Sequence, residues 1–178
     1  MSVTAAQGFV ASGGHGGLKA DGADDLALVA TADGKAVPAA GVFTANKMTA
    51  PPVLVSRAHL KQSGGHAAAV LLNSGNANAG TGEPGSQDAE ELCAQVAQEL
   101  GCAHDEVLIC STGLIGYPLP MAPMVAAIPG LAAARAGHGR GLLPDGGGRL
   151  VPRGRACGTD QRGDHRHAAD RSSARGGR

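Results

Sequence analysis

Three small residues, Ser111, Thr112 and Gly113, follow an apolar run at 106–110 that is typical of a buried strand. Glycine lets a ligand approach the backbone closely, and a threonine hydroxyl adds a hydrogen-bond donor that can rotate. Successive N–H groups at such a strand end can bind the negative oxygen that develops on a carbonyl during acyl transfer, which makes an oxyanion hole. Such triplets also form ordinary turns, and the residue pattern alone favours a turn.

The cysteines and histidines show no spacing of a metal site or a catalytic pair. The cysteines form no CxxC pair and indicate free thiols in a reducing compartment: Cys93, Cys102, Cys110 and Cys157. Cys110 closes the apolar strand and is expected to pack in the core rather than act as a nucleophile. Six of the seven histidines are scattered without partners at ligand spacing, or lie in a segment with nothing to orient them: His15, His59, His66, His104, His165 and His167. We therefore predict no metal site.

The elements that would position these residues alternate between strands and helices over residues 1–134. The clearest is a helix at 86–101, where apolar residues recur at helical spacing between a capping Ser86 and a terminating Gly101. With strands at 67–73 and 106–110 it forms a right-handed crossover, which predicts that the two strands are parallel.

The remaining elements follow from turn and breaker residues. Asp33-Gly34 predicts a tight hairpin between strands at 26–32 and 36–43. The other predictions are a flexible glycine-rich loop at 12–19, a helix at 56–62 capped by Ser56, a loop at 73–85, and a helix from 120 that Pro129 kinks or ends.

Charge divides the 178-residue chain, although its formal net charge is zero. Residues 1–134 carry five basic residues against eleven acidic ones, whereas residues 135–178 carry ten arginines and four aspartates. This second segment has few large aliphatic residues and is predicted to be disordered. Its Arg, Gly, Ala and Pro are the residues of GC-rich codons, so we hypothesise a slip of the reading frame near 134–140. The alternative is a genuine basic tail.

Composition also bears on location. The longest apolar stretch, at 124–134, is broken by Pro129 and is too short for a membrane span. No lysine or arginine precedes Lys19, so the charged start of a secretory signal is missing. With free thiols, these features predict a cytoplasmic protein that has no membrane partner.

Five stretches resemble, in order and spacing, the N-terminal half of the ArgJ family, the ornithine acetyltransferases or bifunctional glutamate N-acetyltransferases of arginine biosynthesis. They are MSVTAAQGFVASG (1–13), DLALV (25–29), AAGVFTANKMTAPPVL (39–54), LLNSGNANAGTG (71–82) and CSTGLIGYPLPM (110–121). The resemblance implies a layered, mixed-sheet α/β fold of the DmpA/ArgJ-like type in residues 1–134, followed by the basic tail at 135–178.

The resemblance also implies a reaction. In this family one precursor cleaves itself before a threonine, and the α and β chains associate as an α2β2 tetramer. The freed threonine takes the acetyl group of N-acetylornithine and passes it to glutamate. No cofactor is required, although acetyl-CoA serves some members as acetyl donor. Thr112 and Gly113 match the family's oxyanion hole, so they are the candidate catalytic residues.

The family pattern is lost after residue 134, where no Thr-Thr-Asp segment and no Ala-Thr cleavage site is found. We therefore expect that this chain contains no nucleophilic threonine, that it needs a β chain, and that it transfers no acetyl group alone. Its substrate-binding residues are unknown from the sequence. This interpretation expects no nucleic-acid partner. The alternative is a non-catalytic remnant or interaction protein whose basic tail binds nucleic acid or an acidic partner.

Overall fold

A computed structural model of the chain describes residues 3–137, 142–144 and 150–152. The strands are β1 (Phe9–Gly14), β2 (Leu26–Thr31), β3 (Val37–Pro38), β4 (His66–Ala67), β5 (Ala69–Asn76), β6 (Val107–Leu114), β7 (Leu142–Pro144) and β8 (Leu150–Pro152). The α-helices are α1 (Pro51–Gln62), α2 (Gly82–Leu100) and α3 (Met121–Gly137), and short 3-10 turns lie at Val3–Ala5 and His104–Glu106.

Four strands form one mixed sheet in the order β1-β2-β5-β6. β2 pairs antiparallel with both β1 and β5, and β5 pairs parallel with β6. Helix α2 joins the parallel pair, since parallel neighbours need a long crossover connection. The predicted parallel pairing of the two strands is therefore found, and the predicted mixed-sheet α/β fold is confirmed.

Helices α2 and α3 cover one face of this sheet. Alternate residues along the strands point to that face and are buried, among them Leu28, Leu71 and Ile109. They pack in one cluster with apolar residues of α2 and α3, namely Ala89, Leu92, Cys93, Val96, Met124, Ile128 and Leu131. Residues that point to the opposite face, such as Val29 and Leu72, are only half-buried. The core described here therefore lies on one side of the sheet.

Helix α1 lies along the outer edge of β6 and satisfies the backbone there. The buried Ser56 hydroxyl donates to the carbonyl oxygen of Ile109 over 2.8 Å and accepts from its N–H over 3.0 Å. One turn further along α1, Nδ1 of His59 donates to the carbonyl oxygen of Val107 over 2.7 Å. These side chains make the hydrogen bonds that a neighbouring strand would make, so the first part of this edge is closed.

The predicted hairpin across Asp33-Gly34 is wrong. β2 already has β1 and β5 on its two sides, and the residues after the turn pair as β3 with β4 instead. The turn itself is present, because the N–H of Gly34 donates to the carbonyl oxygen of Thr31 over 3.3 Å. Pro38 has no N–H to give to a ladder, which fits a strand as short as β3.

The start of α1 also differs from the prediction. Ser56 does not cap a helix but lies inside one, because α1 begins at Pro51 after Ala50. Pro51 and Pro52 occupy the first two helical positions, where a missing N–H removes no helical hydrogen bond. Ser56, predicted as a helix cap, instead forms hydrogen bonds with the backbone of Ile109 in β6.

Helix α2 differs from the prediction at its start, and α3 excludes one of the two alternatives predicted at Pro129. α2 begins at Gly82, within the predicted loop at 73–85, and ends as predicted at Gly101, whose φ is 70°. α3 does not end at Pro129, because residues before and after it are buried in the same core and hold both halves in place.

Beyond the predicted boundary at residue 134, α3 continues to Gly137 and β7 pairs antiparallel with β8. For the rest, the predicted tail at 135–178, with His165 and His167, lies outside the described residues.

Candidate oxyanion site at the end of strand β6

Ser111, Thr112 and Gly113 belong to β6 rather than to a turn. They pair with Asn73, Ser74 and Gly75 of β5, where the sequence predicts the beginning of a loop. The turn follows them, at residues 115–117. The site therefore lies on the end of a paired strand.

Two facing glycines let the strand ends come close together. Gly75 has a φ of 118° and Gly113 a φ of 133°, values that side-chain-bearing residues rarely adopt. A Cβ on Gly113 would lie 2.5 Å from the carbonyl oxygen of Gly75 and 2.6 Å from the amide nitrogen of Asn76. Only glycine fits at position 113.

Polar side chains hold the end of β5 against β6. The Ser111 hydroxyl contacts Oδ1 of Asn73 at 2.5 Å and the carbonyl oxygen of Asn76 at 3.1 Å. Nδ2 of Asn73, which is buried, donates to the same carbonyl over 2.6 Å. Nδ2 of Asn76 reaches across to the carbonyl oxygen of Pro118 over 2.9 Å. These bonds fix the backbone on both sides of Thr112.

The following loop is fixed by one buried asparagine. Asn78 has a φ of 43° and is fully buried. Its Nδ2 donates to the carbonyl oxygen of Gly85 over 2.8 Å, and its Oδ1 accepts from the Thr81 hydroxyl over 2.7 Å. A Cβ on Gly85 would overlap Oγ1 of Thr81 and Oδ1 of Asn78. Sequence reasoning missed these asparagines; their concentration at 73–78 was the available signal.

Two donors at this strand end are available to a ligand. Thr112 is exposed, and within the described side chains its hydroxyl has no hydrogen-bond partner. The N–H and C=O of Ile109 point outward to α1, whereas the carbonyl of Leu114 points back toward β5 and accepts from the N–H of Ala77. Regular alternation along the strand predicts that the N–H of Gly113 faces the outer edge.

Helix dipoles favour a negative charge at the same end of the sheet. α1 runs antiparallel to β6, because Ser56 lies beside Ile109 and His59 lies beside Val107. Its N-terminus therefore points toward the end that carries Thr112. α2 starts after β5 and has its N-terminus on the same side. The positive ends of both helices are thus directed toward the donors.

The thiols are poor candidates for a nucleophile. Cys110 is exposed, so the prediction that it packs in the core is wrong: its side chain points to the face of the sheet that no helix covers. Partial desolvation nevertheless raises its pKa. Burial and the negative charge of Glu90 raise the pKa of Cys93 far above its ordinary value. Neither forms a reactive thiolate readily near neutral pH.

The glycine-rich segment at 12–19 is held by hydrogen bonds rather than free. The buried carboxylate of Asp25 accepts from the N–H groups of Gly16 (2.5 Å), Leu18 (2.8 Å) and Lys19 (2.9 Å). Nδ1 of His15 lies 3.1 Å from the same carboxylate. The prediction of a loop over 12–19 is wrong for residues 12–14, which belong to β1, and three backbone N–H groups of the remainder bind one carboxylate.

Among the described residues, no helix combines the length and the apolar character that crossing a membrane requires.

Comparisons with known proteins agree on one family. Residues 10–145 match the model described as the ArgJ family. The chain is 49% identical over 139 residues to the arginine biosynthesis bifunctional protein ArgJ of Streptomyces avermitilis, covering 78% of this chain and 36% of that protein. It is 48% identical over 151 residues to the protein of the same name in Thermosynechococcus vestitus, covering 85% and 33%. The chain thus spans about a third of these curated relatives.

Solved structures share the fold. Ornithine acetyltransferase of Mycobacterium tuberculosis, complexed with ornithine, gives a TM-score of 0.70 at 37% identity and covers 85% of this chain and 89% of that chain. Arginine biosynthesis bifunctional protein ArgJ of Bacillus halodurans gives a TM-score of 0.68 at 36% identity. The match covers 72% of this chain and 65% of that chain.

Fold and sequence likeness together define the class, a mixed-sheet α/β protein that shares its fold with an ornithine acetyltransferase. Within that class, the chain belongs to the ArgJ family, because the family match covers most of the chain. The resemblance carried by the five sequence stretches is confirmed. The roles of Thr112 and Gly113 remain a prediction, which the geometry at the end of β6 supports.

Proposed function

We propose that this chain supplies the oxyanion hole of a glutamate N-acetyltransferase in cytoplasmic arginine biosynthesis. The observation that carries the proposal is the end of β6, where Thr112, whose exposed hydroxyl has no hydrogen-bond partner among the described residues, directly precedes Gly113. The relatives named as arginine biosynthesis proteins, and the related structure that holds ornithine, support the substrate class.

In the proposed reaction, a threonine hydroxyl on a β chain attacks the acetyl carbon of N-acetylornithine. As the new C–O bond forms, the carbonyl oxygen becomes negative and accepts hydrogen bonds from the Thr112 hydroxyl and the Gly113 N–H. The free α-amino group of that threonine takes the hydroxyl proton and gives it to the leaving nitrogen. The C–N bond then breaks, ornithine leaves as the amine, and the acetyl group stays on the threonine as an ester. The amino group of glutamate attacks this ester and restores the threonine. The exchange needs no cofactor, and acetyl-CoA is the alternative acetyl donor.

The proposal requires a partner that brings the nucleophile, which we assign to the β chain of an α2β2 tetramer. Three apolar side chains just after the donors support such a partner, because they are largely exposed: Leu114 (67%), Ile115 (69%) and Tyr117 (62%). The half-buried face of the sheet extends the same apolar surface. Surfaces of this kind mark protein interfaces.

Complementation tests the proposal. We expect the purified chain alone to transfer no acetyl group from N-acetylornithine to glutamate. Co-expression with the segment of the Streptomyces avermitilis relative that this chain lacks should restore turnover. In that complex, Thr112→Ala should lower kcat on the order of 10²-fold or more, whereas Thr112→Ser, which keeps the hydroxyl, should retain most of it. Turnover by the chain alone, or a fully active Thr112→Ala complex, would contradict the proposal.

The alternative function, nucleic-acid binding by the basic tail, depends on residues 135–178. Within the described part of the chain, no observation favours it.

A further inference from the structure

His59, Glu90 and His104 come together at the opposite end of β6 from Thr112. They lie on α1, on α2 and in the 3-10 turn that precedes β6. Oε2 of Glu90 is 2.9 Å from Nε2 of His59 and 3.1 Å from Nε2 of His104. The three ligand atoms all lie within 4.8 Å of one another. Their separation along the chain hides this cluster from any argument based on sequence spacing.

His59 has the surroundings of a metal-binding histidine. The ring is buried, its Nδ1 faces the carbonyl oxygen of Val107, and its Nε2 faces the carboxylate of Glu90. The contact of Nδ1 with this carbonyl orients the ring and directs Nε2 toward Glu90 and His104, the side from which a metal ion would bind.

We propose that His59, Glu90 and His104 bind a divalent transition-metal ion of the zinc class. Two imidazole nitrogens and one carboxylate oxygen are a donor set that zinc accepts in proteins. The carbonyl of Val107 is the outer partner that orients a metal-bound histidine, a role usually filled by such a hydrogen bond.

The cluster can reach metal geometry through small movements of its exposed members. Two ligands on a tetrahedral zinc lie about 3.3 Å apart, given Zn–N distances near 2 Å. The side chains of Glu90 and His104 are 43% and 46% exposed, so they can adjust while buried His59 stays fixed. Nε2 of His104 also lies 3.2 Å from the backbone carbonyl oxygen of Glu90, and it would exchange this contact for the metal. The open side leaves a fourth position for water.

The metal would tie together three elements that support β6. Val107 begins the strand and Thr112 lies five residues further on, about 16 Å at the rise of a strand. The ion is therefore remote from the reacting atoms and acts as a structural clamp, independent of the proposed acetyl transfer. This proposal revises the sequence-based prediction that none of the histidines binds a metal.

Calorimetric titration with Zn²⁺ tests the proposal on the full chain after EDTA treatment and dialysis. We expect one zinc per chain and a rise in Tm on binding. His104→Gln and Glu90→Gln, both at exposed positions, should weaken zinc binding by about tenfold or more and remove the rise in Tm.

Two control variants separate this site from other histidines. His66→Gln removes an exposed histidine outside the cluster, and the double variant His165→Gln/His167→Gln removes two tail histidines. Both should bind zinc as the unmodified chain does. The proposal is overturned if the unmodified chain shows no zinc-dependent rise in Tm, if His104→Gln binds as tightly, or if binding is lost only in the tail variant.

Discussion

Replacing Gly113 with alanine should separate the ends of β5 and β6. The φ of 133° costs a non-glycine residue about 1–3 kcal/mol. The added Cβ would also meet backbone atoms of Gly75 and Asn76, at 2.5 Å and 2.6 Å, and backbone cannot rotate away. Overpacking of this kind costs a further amount of about 1–3 kcal/mol. We therefore expect Gly113→Ala to lower the free energy of unfolding by about 2–6 kcal/mol.

Gly130→Ala is the matched control. It makes the same chemical change, but it is expected to raise the free energy of unfolding rather than lower it. Gly130 lies exposed inside α3, and nothing lies within 4 Å of an added Cβ. Alanine there should stabilise the helix by about 1 kcal/mol. Urea unfolding followed by far-ultraviolet circular dichroism measures both changes. If Gly113→Ala has no folded baseline, Gly75→Ala gives a smaller loss, because its Cβ meets the Leu18 side chain at 3.3 Å. A Gly113→Ala variant within about 0.5 kcal/mol of the unmodified chain would refute the reasoning.

Three further predictions concern other parts of the fold. Ser56→Ala should lower the free energy of unfolding, measured in urea, by about 2 kcal/mol, because it leaves the buried N–H of Ile109 without an acceptor. A loss of stability no larger than that caused by Ser63→Ala would contradict this. Asp25→Ala should lower the free energy of unfolding by about 3 kcal/mol, because three N–H groups lose their shared acceptor. The segment at 12–19 should then become sensitive to limited proteolysis. Unchanged cleavage would show that the carboxylate does not hold this segment. The raised pKa of Cys110 lowers its thiolate fraction at any given pH, so its alkylation by iodoacetamide should increase only above the pH range of an ordinary thiol. Buried Cys93 should stay unlabelled until the chain unfolds, and equal rates at pH 7 for Cys110 and a free cysteine peptide would count against the prediction.

Local patterns predicted the elements that depend on nearby residues. The apolar stripe of α2, its end at Gly101 and the parallel crossover around it follow from helical spacing and chain length alone. The end of β6 did not follow, because Ser111 to Gly113 are held in a strand by the glycine- and asparagine-rich end of β5, which is distant in sequence. Taken singly, each of these segments has the composition of a turn.

Side chains that serve a distant element were also misread. Ser56 has the type of a helix cap, yet its hydroxyl is used by Ile109. Asp25 gave no sign in sequence that a whole loop depends on its carboxylate. The candidate catalytic pair was found only through the family resemblance, since its residue types alone favour a turn.

The closure of the β6 edge by α1 limits how another chain can join this sheet. A single serine and a single histidine already occupy the backbone groups of Ile109 and Val107 that an incoming strand would need. Strand addition along that stretch would require α1 to leave, together with the buried side chains it contributes. The β chain that we propose as partner is therefore expected to approach over the open face of the sheet and cover it as a second layer, so that assembly proceeds by stacking rather than by lengthening the sheet.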